Sequence, residues 1–288
     1  MNEIIIATII TVSSVGVLSA VILYWASQKF KVYEDQRIGL VEAVLPLANC
    51  GGCGYPGCKN FAEACVKKDD FIGLFCPVGG NDSMAAVAKV LGREAVTKDK
   101  EIAVLRCNGN PTHRQRNTIF DGAQNCTVVS NLYGGETACS YGCLGLGECV
   151  DACTFDAIHM NPLTGLPEVD EEKCTGCNAC VVACPKVLLE LRPQGKKGKR
   201  IFVSCMNQDK GVPAKKACSV ACIACNKCVK ECPHEAITIK NLLAYIDPIA
   251  CKLCRKCVIV CPTEAIHEIN FPPRKEKTEN PTQTEEVG

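Results

Sequence analysis

The feature that most constrains this chain is a cysteine spacing that occurs three times in its C-terminal half. Residues 174–185, 222–233 and 251–262 all follow the pattern Cys-x2-Cys-x2-Cys-x3-Cys-Pro. Three thiols within seven residues and a fourth before proline are typical of ligands to 4Fe–4S clusters. Structural zinc sites usually join two separated Cys-x-x-Cys pairs instead. The spacing predicts iron–sulfur clusters, and a zinc-binding scaffold is the alternative.

The cysteine total also argues for metal over disulfides. The chain has 25 cysteines among 288 residues, an odd number, and most of them fall in tight groups. Disulfide frameworks belong to small secreted domains, whereas vicinal cysteines in a long chain favour metal binding. The formal net charge of +1 gives no support for a nucleic-acid partner.

The motifs are expected to work in pairs, because the fourth cysteine of each binds the neighbouring cluster. The motifs at 222 and 251 form one pair. The partner of the motif at 174 is Cys139-SYG-Cys143-LGLGE-Cys149-VDA-Cys153, in which Thr154 replaces the proline. The Ala-Ile dipeptides after three of these motifs predict short strands beside the clusters. The predicted ligand sets are Cys139, Cys143, Cys149 and Cys184; Cys174, Cys177, Cys180 and Cys153; Cys222, Cys225, Cys228 and Cys261; and Cys251, Cys254, Cys257 and Cys232.

A separate cysteine group lies nearer the N-terminus and predicts a fifth cluster. Its glycine-rich sequence, CGGCGYPGC followed by CP, suits a backbone that folds closely around a metal centre. A literal G-x-G-x-x-G within it does not indicate a dinucleotide site, because no hydrophobic strand precedes it. Cys65, on a predicted helix, is interpreted as a buried free thiol, with a ligand role as the alternative. The predicted ligands are Cys50, Cys53, Cys58 and Cys76.

Four further cysteines flank the first pair of motifs on both sides. A sixth cluster would account for them, while four scattered buried thiols are the alternative. These residues are Cys107, Cys126, Cys205 and Cys218.

The N-terminal segment predicts a membrane anchor. Residues 4–26 carry no charge and would span about 34 Å as a helix, enough to cross a bilayer core of about 30 Å. Lys29, Lys31 and Arg37 follow it, so the positive-inside rule puts the rest of the chain in the cytoplasm. A secretory signal is the alternative, but the segment lacks a basic start and its apolar run is long.

These features predict an α+β chain in seven parts. Its main parts are an anchor, a small helical 4Fe–4S domain, and two modules resembling bacterial ferredoxins, each with two clusters. The segment Lys196–Arg200 is interpreted as a solvated linker, with a docking patch for an acidic partner as the alternative. The tail is expected to be disordered. The predicted boundaries are 1–28, anchor; 34–93, N-terminal 4Fe–4S domain; 100–137, connecting segment; 138–191, first module; 192–217, linker; 218–270, second module; and 271–288, tail.

The order of these elements resembles the B subunit of the Rnf complex, the ion-translocating ferredoxin:NAD+ oxidoreductase. The runs CGGCGYPGC and YGCLGLGEC are the most specific points of resemblance, and two ferredoxin pairs resemble the longer forms of anaerobes. The resemblance implies an electron-transfer protein without substrate chemistry of its own, single-pass in the cytoplasmic (inner) membrane and in contact with membrane lipid. It implies reduced ferredoxin or flavodoxin as donor, with the A, C, D, E and G subunits of the complex as partners.

We expect electrons to enter at the C-terminal module and to leave from the Cys50 cluster. Two rivals with the same chemistry are an electron-transfer subunit of another membrane hydrogenase or reductase, and a membrane polyferredoxin without ion pumping. The zinc-binding scaffold is the rival from a different class.

Overall fold

A computed structural model describes residues 2–30 and 35–273 of the chain, and the predicted tail from residue 274 onward lies outside them. Helices and short strands alternate along these residues. The helices are α1 Asn2–Lys29, α2 Gln36–Ala43, α3 Cys58–Lys67, α4 Gly80–Leu91, α5 Cys126–Leu132, α6 Glu148–Asp151, α7 Ala179–Ala183, α8 Gly211–Ala217, α9 Lys227–Glu231 and α10 Lys256–Ile259, with a 3₁₀ turn at Lys196–Gly198. The strands are β1 Glu101–Leu105, β2 Ile158–Met160, β3 Pro167–Val169, β4 Leu189–Pro193, β5 Arg200–Val203, β6 Ile237–Lys240, β7 Leu243–Ile246 and β8 Ile266–Ile269.

Helix α1 is long and apolar enough to cross a membrane over Ile4–Lys29. Five of its hydroxyl side chains donate to backbone carbonyls of the preceding turn. The Thr8 hydroxyl donates to the Ile4 carbonyl at 2.7 Å, and the Ser19 hydroxyl donates to the Val15 carbonyl at 2.8 Å. Such internal hydrogen bonds are what a helix needs in lipid, where water is absent.

Helices α2, α3 and α4 form the small helical domain. They meet around an apolar core that includes Ile38, Val41, Phe61 and Met84. Helix α3 presents Phe61 and Cys65, four residues apart, on its buried face. Helix α4 ends at Leu91, and Gly92 caps it with a φ of 65°, the left-handed conformation that commonly terminates a helix.

The two ferredoxin-like modules have the same strand arrangement. In each, two outer strands pair with each other, and an antiparallel hairpin comes between them along the chain. The hairpins are β2–β3 and β6–β7, and the outer pairs are β1–β4 and β5–β8. Strands β2, β6 and β8 begin at the isoleucine of an Ala-Ile dipeptide, as predicted.

The outer strands differ from the predicted module boundaries. Strand β1 lies in the predicted connecting segment 100–137, yet Glu101 faces Pro193 and Leu105 faces Leu189 in the β1–β4 ladder. Strand β5 lies in the predicted linker 192–217 and pairs with β8. The prediction began each module at its first cysteine. The apolar residues of β1 and β5 instead pack with the module cores, so each module begins one strand earlier.

A buried charge network joins the two modules. Arg106, after β1, and Arg192, on β4, both lie 3.2 Å from the Glu190 carboxylate. The Tyr245 hydroxyl, from β7 of the second module, donates to the same carboxylate at 2.9 Å. The Arg192 guanidinium also lies over the rings of Tyr245 and Phe202 at 5.2 and 5.7 Å. One carboxylate therefore balances two buried cations at the contact between modules.

Replacing Glu190 with alanine should destabilise the chain by about 3 kcal/mol, because it leaves two buried guanidinium groups without their counter-ion. The measurement is the urea dependence of far-UV circular dichroism on protein kept free of oxygen. Glu63→Ala is the matched control, since its ion pair with Lys67 lies on the surface of α3 and should contribute less than about 1 kcal/mol. Equal losses in the two variants would contradict a stabilising role for the buried network.

Candidate metal centres

All 25 cysteines lie within the described residues and carry free thiols. Within residues 2–30 and 35–273, no three cysteine, histidine, aspartate or glutamate side chains converge on a point where they could share a single metal ion. The ligands of a 4Fe–4S cubane are more widely spread, because each thiolate binds a different iron. The question for each predicted set is whether its four thiols surround a common space.

The four cysteines of the N-terminal group lie together between α2 and α4. Burial raises the pKa of Cys53, and the neighbouring Cys50 and Cys58 thiols add to the shift. Burial also raises the pKa of Cys76, with further contributions from Cys53 and Cys50. The backbone N–H of Gly79 donates to the Cys76 sulfur at 3.4 Å. Cys50, Cys53, Cys58 and Cys76 are called the Cys50 set.

Cys65 lies deeper in the apolar core than these four thiols, close to Cys53 and Cys76, which add to its raised pKa. It is fully buried on α3, in the same apolar core as Phe61 and Val87. Burial raises the pKa of its thiol to about 11. Its position is that of an apolar core side chain, which makes it a matched control for substitutions of the predicted ligands.

In the second module, the cysteines fall into two groups. Cys222, Cys225, Cys228 and Cys261 line one cavity and are called the Cys222 set. Cys251, Cys254, Cys257 and Cys232 are called the Cys251 set. Burial raises the pKa of Cys257 to about 12, and the thiols of Cys251, Cys254 and Cys232 contribute, as expected for groups that lie close together.

The corresponding group in the first module is Cys174, Cys177, Cys180 and Cys153, called the Cys174 set. Burial raises the pKa of Cys180 to about 12, with contributions from the other three thiols. The backbone N–H of Ala157 donates to the Cys153 sulfur at 3.4 Å.

The first three cysteines of each motif are held by a repeated backbone conformation. The second and fourth residues after the first cysteine have positive φ in every case, which turns the chain around the space that the thiols face. The fourth residue after the first cysteine then directly precedes a short helix that carries the third cysteine. The residue pairs are Gly176 and Asn178, Ala224 and Asn226, and Leu253 and Arg255.

The same conformation recurs at Gly145 and Gly147, and it changes how the upstream motif aligns. Their φ angles are 74° and 85°, and α6 follows them directly. Cys143 therefore corresponds to the first cysteine of a motif and Cys149 to the third. Leu146 stands where the middle cysteine would be. The motif is Cys143-x2-Leu146-x2-Cys149-x3-Cys153, with one thiol missing.

Cys126 supplies the fourth thiol of this group in the structure. Cys126, Cys143, Cys149 and Cys184 line one cavity together with Leu146. They are called the Cys143 set. Burial raises the pKa of Cys149 to about 11, and the thiols of Cys184 and Cys126 contribute. The sequence prediction had placed Cys139 here and Cys126 in the sixth set. In the structure, Cys126 begins α5 and lines this cavity, whereas Cys139 lines another.

Cys139 lies in a different cavity, together with the three remaining flanking cysteines. Between Cys139 and Cys143 the chain makes a turn in which the Gly142 N–H donates to the Cys139 carbonyl at 3.2 Å. The two thiols consequently line different cavities. The cysteines of this second cavity, called the Cys205 set, are Cys107, Cys139, Cys205 and Cys218.

Thr154 keeps the local geometry that proline has in the other motifs. The third residue after the last cysteine has a φ of 51° at Asp156, and 51° at Val187 and Glu235, where proline is present. The Ala157 N–H reaches the Cys153 sulfur at 3.4 Å, and the equivalent Leu188 N–H reaches Cys184 at 3.3 Å. The backbone turn therefore does not depend on proline.

Each thiol set lies beside the next in space, and these contacts place the six sets in one order. A Cβ atom added at Gly52 would lie 2.7 Å from the Cys177 carbonyl, so the Cys50 loop touches the Cys174 set. Cys149 contributes to the raised pKa of Cys180, and Cys228 to that of Cys257. Two hydrogen bonds make the remaining links: Cys143 N–H to the Cys107 sulfur at 3.4 Å, and Cys222 N–H to the Cys205 sulfur at 3.3 Å. The order along the row is the Cys50, Cys174, Cys143, Cys205, Cys222 and Cys251 sets.

The basic segment Lys196–Arg200 divides into two environments. Arg200 is buried and pairs with Glu171. Lys196 and Lys197 are exposed. A docking role is therefore confined to the lysines of this segment.

Three family models of iron–sulfur proteins match this chain. An Fe-S cluster family matches residues 45–74, a 4Fe-4S binding domain matches residues 166–189, and a 4Fe-4S dicluster domain matches residues 221–265. These ranges cover parts of the Cys50 group, the first module and the second module.

Curated relatives match most of the chain. The B subunit of the Na(+)-translocating ferredoxin:NAD(+) oxidoreductase complex of Acetobacterium woodii is 43% identical over 232 residues, 81% of this chain and 68% of the relative. The B subunit of the ion-translocating oxidoreductase complex of Methanosarcina acetivorans is 39% identical over 247 residues, 86% of this chain and 92% of the relative. The B subunit of the proton-translocating ferredoxin:NAD(+) oxidoreductase complex of Clostridium ljungdahlii is 39% identical, covering 86% and 85%.

Replacing Gly52 with alanine should destabilise the chain by about 1–3 kcal/mol, because the new methyl group would overlap the Cys177 backbone at 2.7 Å. Scanning calorimetry on anaerobic protein measures the loss. Gly39→Ala on α2 is the control, since nothing lies within 4 Å of its added Cβ and alanine favours helix there. A Gly52→Ala variant as stable as Gly39→Ala would contradict the close approach of these two segments.

Proposed function

This chain belongs to the B-subunit family of ion-translocating ferredoxin:NAD(+) oxidoreductases, the Rnf complexes, and on that premise we propose that it takes electrons from reduced ferredoxin and relays them toward the membrane partners of such a complex. It is an iron–sulfur electron-transfer subunit, and its 4Fe-4S domains are the parts that the family models match. It does no substrate chemistry of its own.

The observation that carries the proposal is the row of thiol sets. A 4Fe–4S cluster, when bound, supplies reversible one-electron transfer, and adjacent sites let an electron cross a protein. Five of the sets are proposed ligands in this role: the Cys50, Cys174, Cys143, Cys222 and Cys251 sets. The Cys143 set, with Cys126 in place of Cys139, revises the assignment from motif spacing.

The residues around these sets fit iron–sulfur ligation. Backbone N–H groups of Gly79, Ala157 and Leu188 donate to cysteine sulfurs at 3.3–3.4 Å, and such hydrogen bonds are among the features that set cluster potentials. Burial and the neighbouring thiols disfavour a free thiolate at Cys180 and Cys257, and bound iron would offset the charge of these thiolates when it replaces their protons.

Electrons are proposed to enter at the C-terminal module. Cys225 and Cys254 are the exposed thiols among the 25, and both belong to this module. Lys252 and Lys256, on either side of Cys254, are also exposed. An exposed ligand surrounded by positive charge suits a small carrier with an acidic surface, such as ferredoxin or flavodoxin.

The exit is proposed at the Cys50 set, which lies nearest in sequence to the membrane helix. The protein is membrane-associated, with α1 as its candidate span. Lys29 ends that helix and Arg37 follows it, which supports a single pass through the cytoplasmic membrane with the cluster domains in the cytoplasm. Other subunits of the complex (A, C, D, E and G in our proposal) would receive the electrons there.

The coupling ion is proposed to be determined by those other subunits. The relatives differ in this respect, since one is named for Na(+) translocation and another for proton translocation. The described residues of this chain include one candidate span, and that span carries no charged residue between Ile4 and Ala26. A zinc-loaded scaffold is the rival proposal, and it predicts a colourless protein that contains zinc.

The direction of flow predicts different effects for Cys254→Ala and Cys53→Ala. Disrupting the Cys251 set should prevent reduced ferredoxin from reducing any cluster, because that set is the entry point. Disrupting the Cys50 set should leave the other clusters reducible. Electron paramagnetic resonance after anaerobic mixing with reduced ferredoxin measures both. The reverse pattern would contradict the proposed direction.

Cys126→Ala should remove one cluster, although Cys126 lies outside every cysteine motif. We expect about four fewer iron and four fewer sulfide per chain, the content of one cubane. Iron and acid-labile sulfide analysis on anaerobic protein measures this. Cys65→Ala, which removes a buried thiol from an apolar core, is the control and should retain the full content. An unchanged iron content in Cys126→Ala would remove Cys126 from the Cys143 set.

A further inference from the structure

We propose that Cys107, Cys139, Cys205 and Cys218 bind a sixth 4Fe–4S cluster, which joins the two ferredoxin-like modules into one continuous electron path. The four thiols line a single cavity. They come from four separate segments: after β1, before α6, after β5 and after α8. No sequence motif links them, and the inference rests on their placement.

All four thiols are buried, with exposures of 6–9%. Four scattered core thiols would need no shared space and no polar neighbours. This cavity also has a buried polar side chain: Asn207, only 1% exposed, donates from its Nδ2 to the Cys139 sulfur at 3.5 Å. Burying an amide costs free energy unless its hydrogen bonds are made, so its position beside a sulfur indicates a site built for an acceptor.

Further N–H groups are directed at the same sulfurs. The backbone N–H groups of Asn207 and Cys222 donate to the Cys205 sulfur at 3.4 and 3.3 Å. The Cys143 N–H donates to the Cys107 sulfur at 3.4 Å. A neutral thiol is a weak acceptor, whereas a cluster-bound thiolate is a strong one. Three of the four sulfurs therefore have donors suited to a thiolate.

The charge around the cavity also fits. A cubane with four thiolates carries a net negative charge, and two cations lie close to this one. Arg114 lines the cavity. Lys186 donates to the Ser140 carbonyl, next to Cys139, at 2.5 Å. These two cations would offset the charge of the cluster in a buried site.

The position of the site gives it a role, and this step rests on the proposed function. Through the Cys143–Cys107 and Cys222–Cys205 hydrogen bonds, the Cys205 set touches the Cys143 set of the first module and the Cys222 set of the second. It occupies the space between the two modules. A cluster there would be the connection by which electrons cross between them.

The test is the iron and acid-labile sulfide content of the full chain, purified without oxygen, as wild type and as Cys205→Ala/Cys218→Ala. The proposal predicts about 24 of each per wild-type chain and about 20 in the double variant, the content of six and of five cubanes. Cys65→Ala, the matched buried cysteine outside the cavity, should keep about 24. A wild-type content near 20 that the double variant leaves unchanged would overturn the proposal, as would zinc at this site.

A second variant, Asn207→Ala, tests the proposal even if the double variant does not fold. This variant keeps all four thiols and removes one donor to the Cys139 sulfur. We expect an unchanged iron content and a lower midpoint potential for one of six clusters, since the lost hydrogen bond stabilises the more negative reduced state. Six unmoved potentials would overturn the proposal.

Reduction by ferredoxin separates this inference from the proposed function. If the function is right and the site is a cluster, ferredoxin should reduce the second module of the double variant and fail to reduce the first. If only the proposed function is wrong, the iron contents of about 24 and 20 stand while ferredoxin leaves every cluster oxidised.

Discussion

Burial of cysteine thiols around shared cavities is the constraint on which the rest of this structure depends. The cores of both modules contain cysteines among their apolar residues, and aromatic residues make up only 5% of the chain. A buried thiol is neutral, as the raised pKa of about 12 at Cys180 and Cys205 indicates. Iron binding replaces those protons and cross-links segments far apart in sequence. In such a chain, the free energy of metal binding becomes free energy of folding.

The protein backbone places the thiols with few residues and little regular structure. Positive φ angles at two positions per motif turn the chain around each site, and a short helix then carries the third cysteine. The outer strand pairs close each module, and the carboxylate of Glu190 balances Arg106 and Arg192 where the modules meet. Fixed contact between modules matters because electron transfer depends on the distance between neighbouring centres.

Local sequence predicted much of this arrangement. Repeated cysteine spacing grouped the thiols that lie together in the second module, and Ala-Ile dipeptides marked the starts of β2, β6 and β8. The outer strands were missed, because the pairing of β1 with β4 joins residues about 90 apart and leaves no local pattern. The exchange of Cys126 and Cys139 was missed for a related reason. The sequence analysis treated Cys139 as the first cysteine of this motif. The spacing from Cys143 to Cys149 and Cys153 matches the other motifs when Leu146 takes the place of the middle cysteine.

Family membership and geometry support the account in different ways. The relatives establish an electron-transfer subunit of an ion-translocating oxidoreductase, and the thiol sets give that activity a physical path. Motif spacing alone predicted neither the grouping of Cys139 with Cys107, Cys205 and Cys218 nor the place of Cys126 in the Cys143 set. The four ligands of the Cys205 set come from both modules, so the path depends on the modules being assembled together.

The most direct test of the central claim is anomalous diffraction from crystals grown without oxygen, with data collected on both sides of the iron absorption edge. The account predicts six iron clusters per chain in a single row, in the order Cys50, Cys174, Cys143, Cys205, Cys222 and Cys251 sets, with Cys126 and not Cys139 beside the third. Zinc in place of iron, or two groups of iron sites separated by an empty Cys205 set, would contradict a continuous electron path through this protein.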